Sequence, residues 1–300
     1  MYEYQNGRLT FGTYGRRYKK NYRNLKERYS QLKTQYSEEK HSIIDKSRSD
    51  FEILKNEYKI NRLSIKKPLK AQKYRLKIQN KAKNRKLNEP PKRRLIEEIG
   101  NSITHGVGAL IALICLILMI VKSKNGVALF ASIVYGTCFI LQMLFSCLYH
   151  SFRSGTMVKR VFRRFDYSSI YLQIGGTFAP LFLVFMNDNM WGYPSGWIFF
   201  TVQWLLLATG ITFLSVFGPR RIKWLHYTLY FVLGWSGVLF IPYFIADNLP
   251  LLFFILGGGV VYTLGMIPFV LKKKAAHFIW HFFVLFGAII QWSGIYLYVL

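Results

Sequence analysis

Ala275-Ala276-His277-Phe278-Ile279-Trp280-His281 opens an apolar run that continues to Leu297. A helix needs about 20 residues to cross the hydrocarbon core of a bilayer, and this run meets that length. On such a helix, residues four apart project from one face, one above the other, so His277 and His281 form a pair. The spacing suits a metal ion gripped by one helix, and it equally suits two polar residues that bridge to neighbouring helices. Histidine is costly inside a bilayer and is commonly retained there for function. The rest of the chain has to decide between the two readings.

Working outward, the composition separates into two parts. The chain has 300 residues, 52% of them hydrophobic and 18% charged, yet its formal net charge is +27. Of 41 Lys and Arg, 28 precede residue 97, whereas only Glu97, Glu98, Asp166, Asp188 and Asp247 among the acidic residues follow that boundary. This segregation predicts a basic region over residues 1–95 and a membrane domain over 96–300. The first apolar run starts only after residue 100, so no secretory signal peptide is expected. Cys115, Cys138 and Cys147 sit inside apolar runs without CxxC spacing and read as small packing residues.

In the basic region, residues 1–20 mix glycines with aromatic and basic residues and read as irregular. A partly helical pattern follows. Leu25, Tyr29, Leu32 and Tyr36 keep coiled-coil seam spacing, and Ile44, Phe51, Leu54 and Tyr58 resume it one position out of phase. From Lys66 to Arg94 the chain is almost uniformly basic, broken by Pro68 and by Pro90-Pro91, the latter a stiff linker into the membrane domain. Such a run attracts anionic lipid head groups at roughly 1 kcal/mol per Lys or Arg. An acidic protein surface fits the same electrostatics, as does a solvated tail that only fixes topology. Nucleic acid is disfavoured, since neither an aromatic stacking motif nor a nucleic-acid-binding fold signature is present. His41 is incidental.

Seven apolar runs follow, near Ile103–Val121, Val127–Tyr149, Tyr167–Met186, Gly196–Phe217, Leu225–Ala246, Pro250–Leu271 and Ala275–Leu297. The predicted fold is therefore an all-α membrane protein, a seven-transmembrane helical bundle. Alternating strand patterns are absent, which excludes a barrel. Arg153, Lys159, Arg160, Arg163 and Arg164 follow the second run, Arg220, Arg221 and Lys223 the fourth, and Lys272–Lys274 the sixth. The opposite side receives only Lys122 and Lys124. By the positive-inside rule the N-terminus is cytosolic, the C-terminus faces outside, and the protein is a multi-pass component of the cell membrane. Glycines within the spans allow close helix approach, and Pro180, Pro242 and Pro268 are expected to kink theirs.

Orientation supplies a depth. His277 and His281 follow the Lys272–Lys274 cluster, His150 closes the second span, and Asp166 opens the third. At 1.5 Å per residue all four fall within roughly 10 Å of the cytosolic face. Ser146 shares a helix face with His150, one turn deeper. Three imidazoles, a carboxylate and a hydroxyl at one depth form a plausible catalytic zinc site. Three protein nitrogens leave the fourth zinc position open for water, whose pKa then falls to near 7. Asp166 is the candidate general base, and Ser146 the candidate partner of water or a substrate carbonyl. Each residue alone has an ordinary alternative: Asp166 pairing with Arg163 or Arg164, His150 capping its helix, Ser146 bonding back to its own turn. Glu97, Asn101 and His105, with Glu98 and Thr104 beside them, put a further polar stripe on the first span, either supporting the metal ligands or capping and anchoring the helix. His226 stands alone and reads as a packing or head-group residue.

These stretches resemble a known family. Glu97-Glu98-Ile99-Gly100-Asn101-Ser102-Ile103-Thr104-His105 is similar to its first motif, Ser146-Cys147-Leu148-Tyr149-His150 to its Ser-x-x-x-His motif, Phe165-Asp166-Tyr167 with Gly176-Thr177-Phe178-Ala179-Pro180 to its third-helix pattern, and His277 to His281 to its His-x-x-x-His. The family is hemolysin III, within the progestin and adiponectin receptor superfamily. The resemblance covers about Glu97 to Leu300 and says nothing of residues 1–95. It implies seven helices, an inward N-terminus and Zn2+ on His150, His277 and His281, with Asp166 and Ser146 near the metal-bound water. Ceramide-cleaving relatives imply hydrolysis of a lipid amide, and the bacterial name implies membrane lysis. Gln291 stands where many bacterial members carry a further histidine, a departure that leaves the three ligands intact.

Three functions stay open at this level: a zinc-dependent hydrolase of a membrane lipid, a receptor or membrane-stress sensor with structural zinc, and a membrane-permeabilising hemolysin active in cytolysis. Seven full spans without an export signal argue against a secreted toxin.

Overall fold

A computed structural model describes residues 2–5, 8–11, 13–43, 48–186, 195–271 and 273–300. The chain divides into two compact units, Met1–Lys86 and Leu87–Leu300.

In the first unit, strands β1 (Tyr2–Gln5) and β2 (Arg8–Phe11) pair antiparallel, and α1 (Thr13–Ile43) begins directly after them. The irregular reading of residues 1–20 is therefore corrected. Alternating polar and apolar residues such as Tyr2-Glu3-Tyr4 and Arg8-Leu9-Thr10 suit a short hairpin. The seam reading holds where it can be followed. Leu25, Tyr29, Leu32 and Tyr36 are half-buried on α1, as are Phe51, Leu54 and Tyr58 on α2 (Arg48–Leu87), and the Tyr36 and Tyr58 rings stack at 3.9 Å. Ile44 lies outside the described residues. Pro68 does not break α2, which runs through it. Losing one backbone donor is tolerated there because the flanking Lys, Leu, Ala and Gln residues are good helix formers. Pro90-Pro91 does end the helical run, since α2 stops at Leu87 and α3 starts at Leu95.

Among its described residues the second unit contains seven helices long and apolar enough to cross a membrane. They are α3 (Leu95–Lys122), α4 (Gly126–Ser151), α5 (Met157–Pro180) with a π-helical turn over Leu181–Phe185, α6 (Ser195–Phe217), α7 (Lys223–Gly234) continued by a 3-10 turn over Ser236–Phe240 and by α8 (Ile241–Asp247), α9 (Leu249–Val270) and α10 (Ala276–Tyr298). Large apolar side chains such as Leu110, Val216, Leu239 and Phe253 face outward, as lipid-facing positions do. Pro180 and Pro242 coincide with the departures from α-geometry in the third and fifth spans, whereas Pro268 sits inside a continuous α9. Asp188 and Lys272, two of the charges counted in the connections, lie outside the described residues.

Two span boundaries differ from the sequence reading, for one physical reason. The third helix starts at Met157 and so takes in Lys159, Arg160, Arg163 and Arg164, and the first starts at Leu95 and takes in Glu97 and Glu98. Hydropathy places these charges in connections. Lys159 and Arg163 are nevertheless buried, because partners meet them inside. Lys159 Nζ lies 3.0 Å from Glu98 Oε1 and donates to the Phe152 carbonyl at 2.9 Å, while Arg163 Nη1 donates to the Asn88 and Glu89 carbonyls at 3.2 Å each.

The buried face of α3 reads Glu98, Asn101, His105, Gly108, Ala112, Cys115 and Met119, alternating steps of three and four. Its polar third lies at the end of the bundle bearing Arg153, Arg220 and Lys274. Its apolar remainder packs with Phe139, Met143, Val284, Leu285 and Ala288 of α4 and α10. A larger aromatic core, including Phe178, Phe182, Phe240 and Phe244, fills the opposite end. The site is thus a polar end-layer set on an apolar core.

Close helix approach depends on small residues. A Cβ on Gly176 would stand 2.6 Å from Cys138 Cβ and 3.4 Å from the Tyr135 backbone, and one on Gly258 would stand 2.9 Å from the Gly287 carbonyl oxygen. Gly257, one position away, would meet nothing nearer than 3.9 Å. Gly176→Val and Gly258→Val should each lower stability by about 1–3 kcal/mol. Gly257→Val should be near neutral. Thermal unfolding in detergent checks this, and a Gly258→Val protein as stable as Gly257→Val would contradict the packing described.

Candidate metal centre

Two helices deliver the three imidazoles. His150 is in the last turn of α4, and His277 and His281 occupy the first two turns of α10. One ligand nitrogen from each ring falls within 4.8 Å of the others. His150 Nε2, His277 Nε2 and His281 Nδ1 are all buried and have no hydrogen-bond partner among the described residues. Buried polar atoms are normally paired. Three orphaned nitrogens converging at one point are resolved by a shared cation, so the residues present fit a metal ion. Among the described residues no fourth protein ligand joins the cluster.

The side of His150 away from this point is held firmly. Its Nδ1 donates to Glu98 Oε2 at 2.6 Å, with Asn101 Nδ2 at 3.4 Å. A proton held on Nδ1 leaves the Nε2 lone pair free for a metal, and the carboxylate makes the ring a better donor. Glu98 is in turn paired with Lys159, so the sequence Lys159–Glu98–His150 links α5, α3 and α4.

The start of α10 is fixed separately. Ala275 has φ 58, the left-handed region that a side chain with a Cβ adopts at a cost of roughly 1–2 kcal/mol. Its N–H donates to Glu97 Oε1 at 3.1 Å, and Arg94 holds the same carboxylate at 2.7 Å. Glu97 therefore positions the helix that carries two ligands and contacts none of the three imidazoles.

The other predicted residues separate. Asp166 and Ser146 both line a cavity of about 90 Å³ whose wall includes His277 and His281. Asp166 stands outside the ligand cluster itself. His105 is buried with its ring centroid 3.9 Å from that of His281, its Nε2 is 3.4 Å from the His281 carbonyl, and it lines the cavity as well. Thr104 bonds back to the Gly100 carbonyl at 2.8 Å and takes no part. His226 packs inside, with Nδ1 2.9 Å from the Tyr171 hydroxyl, and does not reach head groups. The sequence reading missed Gln142, Tyr262 and Arg93 on the cavity wall and the role of Lys159. A lysine in a run of basic residues gives no signal of burial, whereas Gln142, four residues before Ser146 on the same face, was legible.

Purified protein should carry about one divalent metal ion per chain, measured by mass spectrometry of the metal content. Glu98→Gln should lower metal affinity roughly 10- to 100-fold, because His150 loses the carboxylate behind it. Glu97→Gln should leave affinity within a few-fold. Equal effects of the two substitutions would refute the division of labour described here.

The profile of the family described as "Haemolysin-III related" matches residues 93–292. The chain is 37% identical to Hemolysin-3 of Bacillus cereus over 211 residues, which covers 68% of this chain and 92% of that protein. It is 32% identical over 200 residues to a Hemolysin-3 homolog of Bacillus subtilis (strain 168), covering 64% of this chain and 89% of the relative. The family match falls within the seven-helix unit. The chain is a multi-pass protein of the cell membrane and belongs to the haemolysin III family.

Proposed function

We propose that the protein is a zinc-dependent hydrolase of a membrane lipid, cleaving a ceramide-like amide bond. The observation that carries this reading is the juxtaposition of the three-histidine cluster and the Asp166–Ser146 pair with a second, apolar cavity of about 430 Å³. The two cavities share Gln142, Tyr167, Ile170, Tyr262, Phe269 and Trp280. A space of that size lined by aromatic rings suits a hydrocarbon chain, each buried CH₂ contributing about 0.8 kcal/mol. A chain seated there brings its polar head to the histidines. The choice of an amide rests on the resemblance to ceramide-cleaving relatives.

Zinc, which imidazole ligands suit, would when bound polarise a carbonyl and lower the pKa of a water molecule to near 7. The protein's own residues supply the rest. Asp166 accepts the proton of the attacking water and passes it to the leaving amine. Ser146 donates to the substrate carbonyl oxygen or orients the water, and it lines the same cavity as Asp166. Glu98 and Lys159 hold His150 in place. On the orientation inferred from connection charge, the reaction lies at the cytosolic end.

The name of the Bacillus cereus relative supports a second reading, membrane lysis, which cleavage of bilayer lipid would produce as a consequence. A receptor or sensor with structural zinc is supported less, since three protein ligands leave room for water.

Turnover of a fluorescent N-acyl sphingosine in detergent tests the proposal. His281→Ala should lose zinc and activity together. Asp166→Asn should retain zinc and lose about 10²- to 10⁴-fold in rate, the usual share of a general base. An active zinc-free protein, or an Asp166→Asn protein with normal turnover, would overturn it. Liposome leakage should follow the same variants if lysis depends on cleavage.

We also propose that α2 rests on anionic head groups. Ile53, Ile60, Tyr74 and Ile78 are exposed on this helix among lysines and arginines, the pattern of an interfacial segment. Amide exchange across residues 48–87 should slow when the full chain is moved from phosphatidylcholine to phosphatidylglycerol nanodiscs. Unchanged exchange would exclude this contact.

A further inference from the structure

Residues 88–94, between α2 and α3, cross the metal-bearing end of the seven-helix unit from one inter-helix connection to another. At one end the Asn88 side chain donates from Nδ2 to the Phe217 carbonyl at 3.0 Å, and its Oδ1 accepts from the Arg220 N–H at 3.4 Å. It sits on Gly218, which has φ +77 and where a Cβ would come within 2.5 Å of Asn88 Oδ1. Next along, Arg163 of α5 donates from Nη1 to the Asn88 and Glu89 carbonyls at 3.2 Å each. At the other end Arg94 holds Glu97, whose carboxylate accepts from the Ala275 N–H at the start of α10. The segment is fastened in turn to the end of α6, to α5 and to the start of α10.

Its middle lies on the metal-end cavity. Pro90 is buried, and Pro91 and Arg93 form part of the cavity wall with His277 and His281. Two prolines suit that place, because their fixed φ stiffens the crossing and neither carries an N–H that burial would leave unpaired. Arg93 is close enough for its charge to act on Asp166, on Glu97 and on all three imidazoles of the ligand cluster. A positive group at that point opposes the passage of a second cation.

We infer that residues 88–94 are a strap that closes the metal-end cavity to water-borne solutes, with the Asn88 side chain on Gly218 as its catch. Releasing Asn88 frees the end next to α2 while Arg94 stays held near α10. Chain continuity makes the strap the link from the basic region to the metal end, since α2 ends at Leu87. Closure follows from these contacts alone, whereas an effect on metal exchange rests on the three histidines holding zinc.

The test is thiol labelling of the detergent-purified full chain with a water-soluble methanethiosulfonate, in a Cys147→Ala background. Ser146→Cys puts the target on the cavity wall, and Ser151→Cys, exposed on the same helix, is the reference. With the catch intact, Ser146→Cys should react at least 100-fold more slowly than Ser151→Cys. Equal rates would overturn the strap, and need no altered catch that folds. Asn88→Ala removes both side-chain contacts, and one net hydrogen bond shifts an opening equilibrium about 2- to 10-fold. It should speed labelling of Ser146→Cys about tenfold and leave the buried Cys115 and Cys138 unreactive. Gly218→Ala, whose Cβ displaces Asn88, should do the same. Unchanged labelling in both variants overturns the catch. Labelling of Cys115 and Cys138 that rises in step marks Asn88 as a structural residue and overturns it too. With Ser146 restored and zinc bound, Asn88→Ala should speed zinc loss to a chelator about tenfold and hold affinity within a few-fold. A chain that binds no zinc sinks the metal reading alone, the labelling rates still deciding the strap.

Discussion

A carboxylate buried between a lysine and a histidine governs the end of the bundle where the chemistry would occur. Glu98 faces Lys159 at 3.0 Å and His150 at 2.6 Å, on three different helices. In a low-dielectric interior, removing one partner of such a pair leaves the other charge uncompensated, at a cost of about 3–5 kcal/mol. The arrangement therefore fixes α3, α4 and α5 against one another at the site. It also sets which nitrogen of His150 carries the proton, and hence which is free to bind a metal.

A second carboxylate one residue earlier acts differently. Glu97 captures the N–H of Ala275, at the left-handed turn into α10, and so sets where that helix starts. His277 and His281 follow within two turns. Adjacent acidic residues thus position the two halves of the ligand set: Glu98 the histidine of α4, Glu97 the two histidines of α10. Helical geometry explains the split, since neighbours point about 100° apart and reach different partners.

The polar layer stands apart from the two buried apolar cores. The apolar cores built from Phe139, Met143 and Leu285, and from Phe178, Phe182 and Phe244, occupy the middle and the opposite end of the bundle. Packing there supplies rigidity, while the end-layer supplies charge, orphaned nitrogens and cavity space. A shared wall between the polar and apolar cavities follows from this layering, and the proposed lipid substrate rests on it.

Hydropathy and spacing by themselves determined seven spans, the basic region before them, and the three histidines as one group. Those properties are periodic and local, so they survive without coordinates: apolar runs of about 20 residues, and a ligand pair four apart on one helix face. The spacing of Glu97 and Asn101 marked the polar stripe, but not that Glu97 and Glu98 hold different helices. Only the tertiary structure decided that Lys159 and Arg163 are buried, that Arg93 reaches the cavity wall, and that Pro68 lies within a continuous helix. Each of these depends on a partner distant in sequence or on neighbours that offset a local penalty. A charge reads as solvent-exposed until the group that neutralises it is seen, and that group can come from anywhere in the chain.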